Sequence, residues 1–96
     1  MNITIIGTGF VGVVSAAVFA SLDNKVIGLD IDPHKINSLE QGQVPFFEPG
    51  LEELLLEQQK KDNLSFTTDY ETAIKDADVI MIAVGTPSKP DGNANL

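Results

Sequence analysis

One short segment near the start of the chain decides the fold: residues 3–12 read ITIIGTGFVG. Its first four residues are apolar or β-branched without a break, which is typical of a strand buried on both faces. Glycines follow, and the small apolar run after them, up to Leu22, predicts a helix packed tightly on a sheet and covered on its outer side too. The segment is therefore predicted to pass from a buried strand through a glycine-rich turn into a helix.

The same alternation continues along the chain. Further strand-like runs occupy residues 25–29, 64–68 and 79–84, with helical patterns at 34–40, 51–61 and 69–77. The run at 79–84 is as continuously apolar as the first, but within these residues it is expected to form an exposed edge that invites pairing with another chain. Strands that alternate with helices at this spacing form parallel, right-handed βαβ units. The prediction is an α/β fold: the first four strands of a Rossmann-like doubly wound parallel sheet, in the order 3-2-1-4, with flanking helices.

Several single residues mark the ends and loops of these elements. Asp32 and Asp69 stand where helix N-caps are expected, and Pro33 suits a first helical position. Phe46 and Phe47 lie in the loop before the third helix and are expected to pack that loop against the sheet. The helix boundaries are therefore predicted mainly from capping chemistry.

The three glycines of the first turn suit phosphate binding. Gly7 permits a sharp exit from the strand, Gly9 lets the backbone approach a pyrophosphate without a Cβ in the way, and Gly12 allows the helix to pack closely on the strand. The N–H groups of Phe10 and Val11 are then expected to point at the phosphates, aided by the helix dipole. A glycine-rich turn without a ligand is the less favoured interpretation, because three glycines weaken local structure unless something needs the space.

Three further residues are candidates for the same ligand. Asp30 ends the second strand, where a carboxylate can accept both hydroxyls of an adenosine ribose, which favours NAD and repels the 2′-phosphate of NADP. Lys35 follows in the next helix and either contacts the ribose or adenine or is a solvated helix lysine. Thr86 follows the fourth strand, next to the glycine turn in the predicted sheet order, and either faces the cofactor or is an ordinary turn threonine.

Composition excludes several classes of function. The net charge is −8 and the chain has no arginine, so neither nucleic acid nor a membrane surface is an expected partner, because both need a basic face. Cysteine is absent, which excludes a disulfide scaffold, a thiolate metal site and a cysteine nucleophile within these residues. No metal-binding cluster is expected. The first apolar stretch lacks a basic flank and is broken by glycines, so it is neither a signal peptide nor a membrane span, and a cytoplasmic protein is expected.

Taken together, these residues resemble the N-terminal NAD-binding region of the UDP-glucose/GDP-mannose dehydrogenase family. The resemblance is carried by six strings in the family's order: IIGTGFVG at 5–12, GLDID at 28–32, FEPGL at 47–51, FTTD at 66–69, DADVI at 76–80 and VGTP at 84–87. In such enzymes the positions that match Val11, Asp30, Lys35 and Thr86 contact NAD. Phe10 departs from the pattern, because the family commonly has tyrosine there.

The resemblance implies an enzyme that oxidises the C6 hydroxyl of a nucleotide sugar to a carboxylate with two NAD molecules, as a homodimer or a larger assembly. UDP-glucose is the expected substrate. GDP-mannose is the alternative within the family, and a truncated, non-catalytic nucleotide-binding module is the alternative outside it. The family's catalytic cysteine and most of its nucleotide-sugar site lie beyond these residues. Residues 1–96 are therefore expected to form the N-terminal part of the dinucleotide-binding domain, without a catalytic residue or activity of their own.

Overall fold

The computed structural model describes residues 1–83, and within them it contains four strands and four helices. The strands are β1 (Asn2–Ile6), β2 (Lys25–Leu29), β3 (Leu64–Thr67) and β4 (Val79–Ile82). The helices are α1 (Phe10–Ser21), α2 (Pro33–Glu40), α3 (Leu51–Lys60) and α4 (Tyr70–Ile74). All strand pairs are parallel, in the order β3-β2-β1-β4, which confirms the predicted α/β fold and sheet order.

The register of the sheet brings the carboxyl ends of β1, β2 and β4 to one edge. Ile6 lies opposite Leu29 on one side and opposite Ile82 on the other. The N–H of Gly7 donates to the carbonyl oxygen of Leu29 at 2.8 Å. The glycine turn therefore leaves the sheet directly beside the end of β2, where Asp30 follows.

Helices cover both faces of this sheet. Ile3 and Ile5 of β1 are buried in the main core with Val13 and Ala17 of α1, where small side chains allow the helix to approach closely. Successive side chains of a strand point to opposite faces, and Thr4 accordingly donates to a backbone carbonyl of α4 on the other side. The result is the expected three-layer arrangement. No helix within residues 1–83 is long and apolar enough to span a membrane.

The two predicted helix caps differ in the structure. Asp32 is confirmed as the N-cap of α2, because its carboxylate accepts from the N–H of His34 at 2.9 Å. Asp69 occupies the N-cap position of α4 but makes no side-chain bond to a backbone N–H. Its carboxylate accepts instead from the hydroxyl of Thr72. α4 also ends earlier than predicted, at Ile74.

The burial of two apolar elements can be compared with the prediction. β4 has the composition of a strand buried on both faces but was expected to form an exposed apolar edge within these residues. Ile80 and Ile82 are indeed exposed, and within residues 1–83 β4 pairs only with β1. The outer side of α1 was expected to be covered, yet Val11 and Val18 face solvent, because α3 covers only part of that helix. An apolar sequence shows that a segment can be buried, whereas its neighbours decide whether it is.

Candidate functional site

Each glycine of the first turn has its own structural role. Gly7 has φ 105, a conformation that residues with a Cβ rarely adopt. At Gly12 a Cβ would lie 2.0 Å from the carbonyl oxygen of Gly7, so only glycine lets α1 pack this closely on the turn. At Gly9 a Cβ would meet no atom within 4 Å. The fold itself requires Gly7 and Gly12, whereas the open space at Gly9 is available to a ligand.

The N-terminus of α1 is exposed at this open space. Gly9 is the N-cap in an extended conformation, with no side-chain capping bond, and Phe10 and Val11 after it are both exposed. The first N–H groups of a helix have no acceptor within the helix, and the first turn, FVGV, carries no charged side chain. Unpaired N–H groups at the positive end of the helix dipole favour an anion such as a phosphate.

Asp30 lies beside the glycine turn and is held by three hydrogen bonds. Its Oδ2 accepts from both the backbone N–H and the hydroxyl of Thr8, at 3.1 and 2.7 Å. Its Oδ1 accepts from the N–H of Asp32 at 3.0 Å. The carboxylate is therefore fixed in orientation at the edge of the sheet before any ligand arrives.

These surroundings keep Asp30 ionised. Burial alone raises the pKa of the Asp30 carboxyl, but the hydrogen bonds from Thr8 and Asp32 and the attraction of Lys35 together hold that pKa below the ordinary value of 3.8. At neutral pH the group is a carboxylate. It can accept hydrogen bonds from a sugar and repels a phosphate placed next to it.

A cleft of about 310 Å³ lies between the glycine turn and α2. Thr8 lines it on one side, Lys35 and Ser38 of α2 on another, and Val44 of the following loop closes it. The cleft has polar and apolar walls, as a nucleoside requires. Lys35 is thereby placed near both Asp30 and the turn.

Seven of the eight residues singled out by the sequence lie at this edge of the sheet: Gly7, Gly9, Phe10, Val11, Gly12, Asp30 and Lys35. The eighth, Thr86, lies outside the described residues 1–83. Groups of acidic and histidine side chains able to hold a metal ion are absent from residues 1–83. The arrangement combines an anion site, a fixed carboxylate and a nearby cation.

The structure brings to this site two residues that the sequence did not assign to it. Thr8 is one: a hydroxyl residue between the glycines signalled a donor, but its partner could not be read from the chain. Phe46 is the other, because its ring packs against Phe10 edge-to-face, with centroids 5.1 Å apart and planes at 73°. Phe47, expected against the sheet as well, is 91% exposed. Phe46 thus ties the loop before α3 to the first turn of α1.

Comparison with known families gives a match along the whole chain. The model of the UDP-glucose/GDP-mannose dehydrogenase family, NAD binding domain, matches residues 1–96. The UDP-glucose 6-dehydrogenase YwqF of Bacillus subtilis is 50% identical over 96 residues, which are 100% of this chain and 22% of that protein. The GDP-mannose 6-dehydrogenase of Pseudomonas aeruginosa is 45% identical, with the same coverage of both. The chain thus spans about a fifth of the length of these curated relatives.

Solved structures show the same architecture. A ternary complex of GDP-mannose dehydrogenase from Pseudomonas aeruginosa superimposes with a TM-score of 0.94 at 45% identity, covering 100% of this chain and 22% of that one. A UDP-glucose dehydrogenase from Pyrobaculum islandicum gives 0.91 at 42% identity, covering 99% and 22%. These likenesses confirm the Rossmann-like fold predicted from the sequence.

Proposed function

Since this chain belongs to the UDP-glucose/GDP-mannose dehydrogenase family and matches its NAD-binding domain, we propose that residues 1–96 hold the adenosine and pyrophosphate of NAD for a UDP-glucose 6-dehydrogenase. The observation that carries this proposal is the exposed N-terminus of α1, open at Gly9 and adjacent to a fixed, ionised Asp30. An anion site and a sugar-binding carboxylate side by side suit a dinucleotide.

In this proposal each residue of the site has a separate role in binding NAD. The backbone N–H groups of Phe10 and Val11 donate to the pyrophosphate, which passes over Gly9 where no Cβ obstructs it. Asp30 accepts from the adenosine ribose, and the Lys35 ammonium lies near enough to Asp30 to lower its pKa and donates to the same sugar. Gly7 and Gly12 act on the ligand only through the shape of the turn.

Thr86 is proposed as a further cofactor contact. It follows the strand next to β1 in the sheet order, and ligands of open α/β sheets bind where neighbouring strands lead to opposite sides. Its hydroxyl is expected to face the pyrophosphate or the nicotinamide ribose. A Thr86→Val change that lowers NAD affinity without lowering thermal stability would support this role.

The proposed reaction converts the C6 alcohol of the nucleotide sugar to a carboxylate through an aldehyde, with water supplying the second oxygen. NAD held at this site would supply the oxidant for both oxidations, with one molecule reduced in each and two per sugar. Residues 1–96 contain no cysteine, so the nucleophile of the second step is proposed to come from the rest of the enzyme. Residues 1–96 are then the N-terminal part of the dinucleotide-binding domain, inactive alone, in an enzyme that is a homodimer or larger.

The sugar nucleotide has two candidates. Relatives described as UDP-glucose 6-dehydrogenases are 42% to 50% identical to this chain, a range that includes the 44% and 45% of the GDP-mannose 6-dehydrogenases. UDP-glucose is proposed first because three of these UDP-glucose relatives, at 50%, 47% and 48%, lie above that overlap, and GDP-mannose is the second candidate. Assaying the intact gene product with both sugars separates them, because only the true substrate is expected to reduce two NAD per molecule.

Cofactor binding is tested on the chain itself. Calorimetric titration of residues 1–96 with NAD and NADP is expected to show at least tenfold tighter binding of NAD, and Asp30→Asn is expected to remove most of that preference. Asp76→Asn is the matched control, because Asp76 lines a separate cleft with Asn2 at the amino end of the sheet. Equal affinity of the unaltered chain for both dinucleotides contradicts the proposal.

A further inference from the structure

Thr8 makes an unusual double contact with the candidate ribose-binding carboxylate. The residue is 5% exposed, and both its N–H and its hydroxyl donate to the same oxygen, Oδ2 of Asp30, at 3.1 and 2.7 Å. Thr8 lies in the glycine turn and Asp30 at the end of β2, so the contact joins the two halves of the site. The carboxylate is held from the side of the turn.

The acceptor capacity of Asp30 is nearly used up by these bonds. A carboxylate offers about four lone-pair positions, two on each oxygen. The two donors of Thr8 occupy those of Oδ2, and the N–H of Asp32 occupies one on Oδ1. One position on Oδ1 therefore remains for a ligand.

The Thr8 bond is expected to persist when a ligand binds. Thr8 as a residue is only 5% exposed, and its hydrogen bond to Asp30 is part-buried, so a hydroxyl that lost this acceptor would be destabilising. The acceptor that the structure gives it is Asp30. A ribose hydroxyl that displaced Thr8 from Oδ2 would therefore gain one hydrogen bond but leave the Thr8 hydroxyl without its acceptor.

We propose that Thr8 is the positioning residue of the cofactor site: it locks Asp30 so that Oδ1 alone receives one ribose hydroxyl, and it thereby enforces the preference for NAD over NADP. A locked carboxylate cannot rotate away from a 2′-phosphate, so the full repulsion remains. The second ribose hydroxyl is then met by another group, for which Lys35 is placed. This inference rests on the proposed function and names a residue that determines its specificity.

The lock also has a signature in pH dependence. The Thr8 hydrogen bonds help to lower the pKa of Asp30, so removing the hydroxyl moves that pKa upward. Within residues 1–83 the titratable groups near Asp30 are Lys35, which attracts its carboxylate, and Asp32 and His34 at the start of α2. The glycine turn and Thr67 of β3, whose carbonyl accepts from the Asp30 N–H, add none. A Thr8 variant without its hydroxyl therefore loses NAD affinity at a higher pH than the unaltered chain does.

The experiment, on the intact gene product, compares Thr8→Val, which removes the hydroxyl at nearly constant shape, with Thr8→Ser, which keeps it. NAD and NADP are titrated at pH 7, and NAD again at pH values from 7 down to 3. Thr8→Val is expected to lower the NAD-to-NADP affinity ratio about tenfold and to lose NAD affinity on acidification at a higher pH. Thr8→Ser is expected to keep both the ratio and the pH dependence of the unaltered chain. Thr72→Val is the matched control, since it removes another threonine bond to an aspartate, that to Asp69.

The possible results separate clearly. If the intact gene product without substitutions does not bind NAD, the proposed function fails, whatever Thr8 does. If it binds NAD but Thr8→Val changes neither the NAD-to-NADP affinity ratio nor the pH at which NAD affinity is lost, the proposed positioning role of Thr8 is refuted. Thr8→Ala is the second variant with the same expectation. If circular dichroism shows that Thr8→Val and Thr8→Ala are unfolded while Thr8→Ser is folded, the hydroxyl serves the fold alone and the inference is overturned.

Discussion

Two glycines of the same turn are predicted to respond oppositely to alanine. Gly12→Ala places a Cβ 2.0 Å from the Gly7 carbonyl oxygen, an overlap with backbone that cannot rotate aside. Gly9→Ala places a Cβ in open space, with no atom within 4 Å, at φ −74 where alanine is unstrained. The first change is expected to damage the fold, and the second only the binding of NAD.

The magnitudes follow from the geometry. Relieving the Gly12→Ala overlap moves the turn by about 1 Å, and overpacking of this kind costs ~3 kcal/mol at the upper end of its usual range. Alanine regains ~1 kcal/mol of helix propensity inside α1, which leaves a net loss of about 2 kcal/mol. For a domain of this size that lowers the melting temperature by roughly 8–16 °C.

Gly9→Ala has two small effects on stability that nearly cancel. Alanine is a poorer N-cap than glycine, but it also removes about 0.4–1 kcal/mol of conformational entropy from the unfolded chain. The melting temperature is expected to stay within about 4 °C of the unaltered chain. NAD affinity is expected to fall at least tenfold, because the new methyl group occupies the path of the pyrophosphate.

Thermal denaturation followed by circular dichroism, together with titration of NAD at 25 °C, measures both effects on the same samples. The contrast between the two variants provides its own control, since both add one methyl group to the same turn. Unchanged NAD affinity in Gly9→Ala would show that the pyrophosphate does not cross Gly9. A Gly12→Ala protein that melts with the unaltered chain would refute the close packing of α1 on Gly7.

Three further predictions concern the carboxylate and the packing around it. The pKa of Asp30 is lowered in the folded state, so the ionised group stabilises the fold above the ordinary carboxyl pKa, and this contribution is lost as the pH falls through the lowered value. Urea denaturation between pH 3 and pH 7 should therefore show that the free energy of unfolding of Asp30→Asn decreases less on acidification than that of the unaltered chain. Gly28→Ala places a Cβ 2.6 Å from the ring of Phe66 and should cost ~1–3 kcal/mol by urea denaturation, less in a Phe66→Leu background. A double-mutant cycle of Phe10→Leu and Phe46→Leu should show a coupling of about 0.5–1.5 kcal/mol in the free energy of unfolding, and zero coupling would contradict the edge-to-face contact.

Local patterns in the sequence predicted most of the fold. An unbroken apolar run followed by glycines at positions 7, 9 and 12 identifies strand, turn and helix, because each of those glycines answers a requirement of backbone conformation or close approach. Asp32 before Pro33 marked the start of α2, because a side chain can cap a helix only from its immediate neighbourhood. The strand order was taken from the doubly wound fold that alternating strands and helices indicate, and the right-handedness of βαβ connections gave the parallel, three-layer arrangement.

The same local reasoning could not give burial or hydrogen-bond partners. The outer side of α1 was expected to be covered, but Val11 is 64% exposed, because coverage depends on which elements pack alongside. Asp69 stands at a cap position, but Thr72 takes its carboxylate. Both outcomes are choices between competing partners whose distances the sequence does not state.

For the candidate site, too, local residue types could be predicted from the sequence and contacts between distant residues could not. The sequence by itself determined its chemistry: a glycine turn that admits a phosphate, and a carboxylate at the end of the second strand. Only the tertiary structure decided that Thr8 fixes the Asp30 carboxylate, a contact between residues 22 apart in the chain. The physical reason is that hydrogen bonding depends on distances of a few tenths of an ångström, and these arise only when the parallel register sets the end of β1 beside the end of β2.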